Sequence, residues 1–152
     1  MTDDRSAHYA ALERMYLTAP INEFYWPTIK VSHELAEISM EVVPAFFHPA
    51  GAIHGSVTWK MLDDAAFFAA ASIEEEVFIL TTSFTTYLTR PVSEGVLRSV
   101  GHVVNASRSQ IIAESVAYDS EDREVARGNG IFVRGKIRLD SIETYNLEES
   151  QP

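Results

Sequence analysis

The chain contains no cysteine among its 152 residues. That excludes disulfides, a thiolate metal site and a cysteine nucleophile. Cationic side chains are also scarce, with 12 Lys and Arg against 22 Asp and Glu and a formal net charge of −10. Such a balance argues against nucleic acid and against an anionic membrane surface as partners. An anionic ligand would need a local basic patch. There is no phosphate-binding P-loop, no dinucleotide fingerprint and no metal-ligand spacing, and the five histidines are scattered. No internal repeat, low-complexity stretch or interdomain linker is present. The opening MTDDRSAHYAAL has no signal-peptide pattern, so a cytoplasmic protein is expected. The most apolar stretch is too interrupted to span a membrane, because Lys60, Asp63 and Asp64 sit in its middle.

What is present is an ordinary globular composition, 46% hydrophobic, in a chain long enough to bury a core. The expectation is one domain over 1–152: an N-terminal helix and loop in 1–27, a core in 28–138 and a flexible tail in 139–152. The organising stretch is HPAGAIHGSVTWKMLDDAAFFAAAS, from His48 to Ser72. Pro49, Gly51 and His54-Gly55-Ser56 read as a turn feeding a helix. Beyond Ile53 the residues are apolar on nearly every side, the mark of a buried helix.

Two adjacent carboxylates in such a helix call for an explanation, since a buried charge is costly unless it is paired or used. Neighbouring helical residues point about 100° apart, so Asp63 and Asp64 cannot face the same place. Lys60 is spaced to pair with either. The helix start offers free backbone N–H groups at Gly55 and Ser56, where the macrodipole favours negative charge. At about 1.5 Å per residue, the eight steps from Gly55 to Asp63 span roughly 12 Å. Groups acting on one carbonyl must lie within about 3 Å of the reacting atoms. One copy of the helix therefore cannot bring its own Gly55 and Asp63 together. Two antiparallel copies can, which leads to the expectation of a two-fold dimer with shared sites.

Around the helix, residues 3–18 read as a short amphipathic helix with Tyr9, Leu12, Met15 and Tyr16 on one face and Asp3 and Asp4 near its start. Pro20 ends it, and Asn22 to Pro27 reads as an aromatic loop. Thr28 to Pro44 alternates apolar and polar with a phase slip between Leu35 and Ala36, as a β-bulge or bend would give. Val77–Thr89, Val96–Asn105, Gln110–Tyr118 and Glu124–Arg134 carry strand composition with short turns between the last three. One long helix and about five strands suggest a curved antiparallel sheet wrapped around that helix. The tail from Ser141, with Glu143, Glu148 and Glu149, reads as frayed.

HPAGAIHGSVTWKMLDD, then TTSFTTYLTRPV, then GVLRSVGHVV resemble the hot-dog-fold acyl-CoA thioesterases of the phenylacetate-degradation (PaaI-like) type. That family's pattern is Asn-Pro-x-Gly-x-x-His-Gly-Gly, an Asp nine residues after the His, and a later Arg-Pro at a strand end. His54-Gly55, Asp63 and Arg90-Pro91 match it, and the resemblance covers roughly residues 28–138. It implies an α+β hot-dog fold of five to six antiparallel strands around one central helix. It also implies hydrolysis of a small aryl or short- to medium-chain acyl-CoA by a homodimer, assembled as a dimer of dimers. Coenzyme A is then part of the substrate, and no separate cofactor is expected.

By that resemblance Asp63 is the catalytic carboxylate, as a general base or as a nucleophile on the thioester. Either role suits a carboxylate in a poorly solvated pocket. Gly55 supplies the backbone N–H that holds the thioester oxygen. A turn that merely needs no side chain is its plainer explanation. His54 matches the family's histidine, and hydrogen bonding to the loop at the helix start is its expected role. His48 replaces the family's Asn and keeps a donor, although an imidazole changes charge near neutral pH. Ser56 replaces the second Gly and adds a hydroxyl beside the site. Thr81 lies ten residues before Pro91, where related enzymes carry a hydroxyl that positions water. The run Thr81-Thr82-Ser83 leaves the register open. Arg90 and Arg108 are candidates for the nucleotide phosphates, since arginine binds phosphate bidentately.

The aromatics Phe24, Tyr25, Trp26, Trp59, Phe67 and Phe68 are candidates for an acyl pocket, with core packing the commoner role. A hot-dog dehydratase is a second enzymatic reading, but its usual pairing of His with an acidic residue is missing. A non-catalytic acyl-thioester-binding domain is kept open by the departures at His48 and Ser56.

Overall fold

A computed structural model describes residues 5–147. The expectations for Asp3, Asp4, Glu148 and Glu149 lie outside the described residues. In chain order the helices are α1 (Ser6–Leu17), α2 (Asn22–Tyr25), α3 (Gly55–Ala71) and α4 (Glu143–Asn146). The strands are β1 (Thr28–Ser32), β2 (Leu35–Glu41), β3 (Val77–Leu88), β4 (Val96–Ala106), β5 (Ile111–Tyr118) and β6 (Glu124–Arg138). The six strands form one antiparallel sheet in the order β1-β2-β4-β5-β6-β3. It is the hot-dog fold, with the sheet curved around α3.

Small residues let helix and sheet approach closely. Ala65, Ala66, Ala69 and Ala70 of α3 are fully buried, as are Ala36, Ala113, Ala117 and Ala126 of the sheet. At Gly101 of β4 a Cβ would sit 2.2 Å from the Ala65 carbonyl oxygen, so a side chain there would push the helix off the sheet. The buried Ser115 hydroxyl of β5 donates to the Leu62 carbonyl at 2.7 Å, crossing the same narrow gap. Phe132, Ile79, Ile38, Met40 and Leu97 fill the remainder of the core.

Three local expectations are corrected. The phase slip near Leu35 is a hairpin, not a bulge or bend. Ser32 pairs with Leu35 across the turn His33-Glu34, with Glu34 left-handed at φ 57°. The buried Ser72 hydroxyl at the end of α3 accepts from the Glu34 N–H at 2.8 Å, fixing that turn. The stretch Asn22–Tyr25 is a single helical turn, closed by a left-handed, solvent-exposed Trp26. The segment from Ser141 to Leu147 is docked, not frayed. Tyr145 shares a 2.7 Å hydrogen bond with buried His8, and Arg14 donates to the carbonyls of Thr144 and Tyr145 at 3.2 and 2.7 Å. Ile142 and Tyr145 pack on the core, which is apolar weight enough to hold an otherwise acidic tail.

Candidate active site

The site grows out of the contact between α3 and the edge strand β3. Four helix positions spaced four apart meet four strand positions in reverse order. Leu88 lies against Gly55, Phe84 meets Trp59 with ring centroids 5.8 Å apart, Thr81 bonds Asp63, and Phe78 meets Phe67 at 5.4 Å. Residues at i and i+4 share one helix face, so the helix side of this pattern is automatic. The strand side is not, because Phe78 and Thr81, and again Thr81 and Phe84, are three apart and a regular strand would point each pair to opposite faces. Two irregularities resolve this: the register shifts between Val77 and Ile79, and Thr81 pairs with Phe132 and Ser83 with Ile131, leaving Thr82 as an extra residue. Bulges re-aim side chains in this way beside functional sites.

Asp63 is half-buried and accepts the Thr81 hydroxyl at 2.9 Å. Burial pushes its carboxyl up from 3.8 to about 6, the Thr81 hydrogen bond and Lys60 partly offsetting this and Asp64 adding to it. A carboxylate so placed is a stronger base than one in water and is still ionised at neutral pH. Asp64 is the paired neighbour. It takes Lys60 at 2.5 Å and the Tyr16 hydroxyl at 2.8 Å, and burial beside it pushes the Tyr16 phenol far up. Asp63 and Asp64 both line a cavity of about 440 Å³, together with Trp59, Phe67, Phe68, Phe78 and Thr81. Phe24, Tyr25 and Trp26 do not line it. Phe24 and Tyr25 instead pack on Phe46, with centroids 5.3 and 5.2 Å away.

The other half of the expected site lies at the N-terminus of α3. His54 caps the helix, its Nδ1 accepting from the Ser56 N–H at 3.1 Å and lying 2.7 Å from the Ser56 hydroxyl. Ser56 N–H is thereby occupied, whereas among the described residues no acceptor takes the Gly55 N–H. The backbone of Gly55 is not left-handed; that conformation belongs to Gly51, at φ 87°. A tight turn therefore does not explain Gly55. A Cβ there would come within 2.9 Å of the Leu88 methyl. Gly55, His48, Arg90 and Pro91 line a second cavity of about 290 Å³. His48 turns its Nδ1 to the Ala50 N–H at 3.1 Å.

The predicted residues thus fall into two groups on one chain, with Asp63 and Thr81 in one cavity and Gly55, His48 and Arg90 in the other. Arg108 joins neither. It is exposed in the β4–β5 turn, where its carbonyl and that of Ser107 accept from Arg134, itself bonded to Glu74 beyond the end of α3. Sequence reasoning missed Tyr16 and Asn22, which reach the Asp63 cavity from the N-terminal segment. Only the four-residue spacing of Lys60 and Asp64 hinted that a buried pair was there.

Comparison with known proteins gives the same architecture. The thioesterase superfamily model matches residues 50–126, half of the chain, and includes both Gly55 and Asp63. The PaaI protein of the E. coli phenylacetic acid degradation operon is 17% identical, with a TM-score of 0.77, covering 87% of this chain and 97% of its own. A thioesterase family protein from Silicibacter pomeroyi is 24% identical, with a TM-score of 0.74, over 84% of this chain and 99% of its own. The SAV0944 thioesterase enzyme of Staphylococcus aureus is 14% identical, with a TM-score of 0.74, over 78% of this chain and 100% of its own. These identities speak to fold alone. No curated protein matches the chain in sequence. On the family model and the fold together, the chain belongs to the thioesterase superfamily, hot-dog proteins that hydrolyse thioesters.

Proposed function

We propose that this protein is a PaaI-like acyl-CoA thioesterase, releasing coenzyme A and a free aryl or short- to medium-chain acid, acting in the cytoplasm without a separate cofactor. The observation that carries this is the division of one chain into two complementary half-sites. One holds a carboxylate poised near neutrality with a hydroxyl at its side. The other holds a helix N-terminus whose Gly55 N–H has no acceptor among the described residues. The eight helical steps from Gly55 to Asp63 span about 12 Å, too far to act on one carbonyl. In a homodimer, Asp63 of one chain and Gly55 of its mate act on one thioester. The Gly55 N–H holds the developing oxyanion, Asp63 attacks or activates water, and Thr81 orients that carboxylate.

Support for the dimer comes from β3. It is an edge strand of 12 residues with Leu80, Tyr87 and Leu88 exposed, and Trp59 of α3 is exposed beside it. Long apolar edges of this kind are normally covered. Arg90, lining the Gly55 cavity, is the arginine best placed for nucleotide phosphates. Arg108, at the other end of the sheet, serves there only if another chain of a dimer of dimers brings it across. His48 and Ser56 flank the thioester, and His54 holds the helix start.

Thiol release from a panel of acyl-CoAs, with wild type beside Asp63→Asn, tests the hydrolysis. Subunit mixing tests the shared site. Asp63→Asn and Gly55→Val are each expected to be inactive. Denatured and refolded together in equal amounts, half of the dimers are mixed, and each mixed dimer has one intact site of two. Activity is expected to return to about a quarter of wild type, as isologous pairing requires. No recovery, with mixed dimers verified, overturns the reading.

A further inference from the structure

The thioesterase reading leaves one buried cluster unused. Lys60 Nζ lies 2.5 Å from Asp64 Oδ2, 2.8 Å from Asn22 Oδ1 and 3.4 Å from the Tyr16 hydroxyl. Those three contacts consume its three donors. The ammonium also stands over the Tyr16 and Tyr25 rings, 5.2 and 4.9 Å from their centroids. Asn22 is oriented in turn, its amide donating to the Tyr16 carbonyl at 2.8 Å, and both Asn22 and Tyr16 are buried. The Lys60 bonds to Asn22 and Tyr16, and the Tyr16 bond to Asp64, run between the central helix and the N-terminal segment. That segment is also held by Tyr9, Leu12 and Met15 packed in the core, by His8 beside the Ala71 carbonyl at 2.9 Å, by the tail, and by the Glu13 carboxylate, which accepts from the Val31 N–H at 2.7 Å.

The cluster lies in the wall of the Asp63 cavity. Met15, Ala19 and Ile21 complete that wall from the same N-terminal segment. The cavity touches α3 from Trp59 to Phe68, nine steps and about 14 Å of helix axis. Resting on the thioesterase reading, we propose that the N-terminal segment is one wall of the acyl pocket, pinned by Lys60, and sets which acyl groups enter. The bound acyl group is uncharged and limited in length. An acyl chain ending in a carboxylate finds apolar wall and a cation whose donors are all taken. A longer chain runs into Met15, Ala19 and Ile21.

The test compares kcat/KM for acetyl-, hexanoyl-, decanoyl- and glutaryl-CoA across wild type, Ala19→Trp and Asn22→Ala. Circular dichroism and sedimentation serve as checks of fold and assembly. Wild type is expected to prefer hexanoyl- over glutaryl-CoA by at least a hundredfold. Ala19→Trp fills the wall and is expected to lower the hexanoyl-to-acetyl ratio about tenfold, the scale of a methylene or more of pocket. Asn22→Ala removes the Lys60 pin from that wall and is expected to raise the decanoyl-to-hexanoyl ratio about tenfold. If Asn22→Ala does not fold, Ala19→Trp decides alone. Unchanged ratios in folded variants that still hydrolyse acyl-CoA overturn the inference and leave the thioesterase reading standing. Wild type that neither hydrolyses nor binds any of the four, nor benzoyl-CoA run beside them as an aryl substrate, overturns both.

Discussion

Asp63 is expected to oppose stability while serving function, and the two effects separate in one substitution. Burial raises its carboxyl from 3.8 to about 6 in the fold. A rise of that size disfavours the ionised folded state by about 3 kcal/mol, and allowing for the site's partial exposure leaves about 2 kcal/mol. The sign follows from proton uptake. Below about pH 4 the group is protonated in both states and nothing is lost. Between about pH 4 and 6 the folded state holds a proton that the unfolded chain has released, so stability falls as pH rises. Above about 6 the full penalty is present. Asp63→Asn removes the charge and keeps an oxygen to accept the Thr81 hydroxyl. At pH 8 its melting temperature is therefore expected to lie about 4–8 °C above wild type, at the few degrees per kcal/mol usual for this size. At pH 4 the two should coincide. Melting must be followed at one fixed protein concentration, since assembly adds its own stability. Hydrolysis should be lost throughout. An Asn variant that melts lower than wild type at pH 8, or melts higher by the same margin at both pH values, refutes the argument that burial of charge dominates this carboxylate.

Three further outcomes follow from the same geometry. Thr81→Val removes the hydroxyl that holds the Asp63 pKa down, so the acidic limb of the pH–rate profile should move above about 6, with Thr81→Ser restoring it. Lys60→Met strips the partly buried Asp64 of its cation and should destabilise the protein by about 2–3 kcal/mol in chemical denaturation. Adding Asp64→Asn should recover most of that loss. Deleting Thr82 removes the bulge and turns either Thr81 or Phe84 away from α3. Hydrolysis should fall at least a hundredfold while circular dichroism keeps its strand content, and retained activity would show that the bulge does not aim Thr81.

Much of the fold was legible because its signals are local. The all-round apolar helix, the four β-rich stretches after it and the turn before Gly55 each announce themselves within a few residues, and the motif from His48 to Asp63 fixed their arrangement. The misreadings share a cause, which is contact between segments remote in sequence. A slip of alternation at Leu35 looks the same for a bulge and for a two-residue hairpin. What decides it is the Ser72 hydroxyl, 38 residues away, on the Glu34 N–H. The tail reads as frayed from its acids, yet Tyr145 and Ile142 find α1 and the core from more than a hundred residues away. Thr81 was identifiable by its distance from Pro91, but no period of two or of 3.6 predicts that it and Phe84 face one way. That depends on the extra residue Thr82, whose place only pairing with β6 reveals.

The two aspartates show how one local rule can be broken once for structure and, on the function proposed above, once for chemistry. Both put a carboxylate into an apolar helix, against the preference that makes sequences fold cleanly. Asp64 is made whole on the spot: a lysine one turn back, a phenol from α1, an amide beyond it. Its charge is neutralised and its geometry fixed, at the expense of tying the N-terminal segment to the helix. Asp63, one residue earlier and turned about 100° away, is given only a hydroxyl. A fully paired Asp63 would be a weak base and a poor nucleophile, and a fully buried one would stay protonated at neutral pH. The single hydrogen bond leaves it between those limits, facing the cavity it shares with Thr81. In the proposed dimer, complementary charge near a reacting carbonyl comes from the mate, since the Gly55 N–H, which has no acceptor among the described residues, lies about 12 Å away along the same helix.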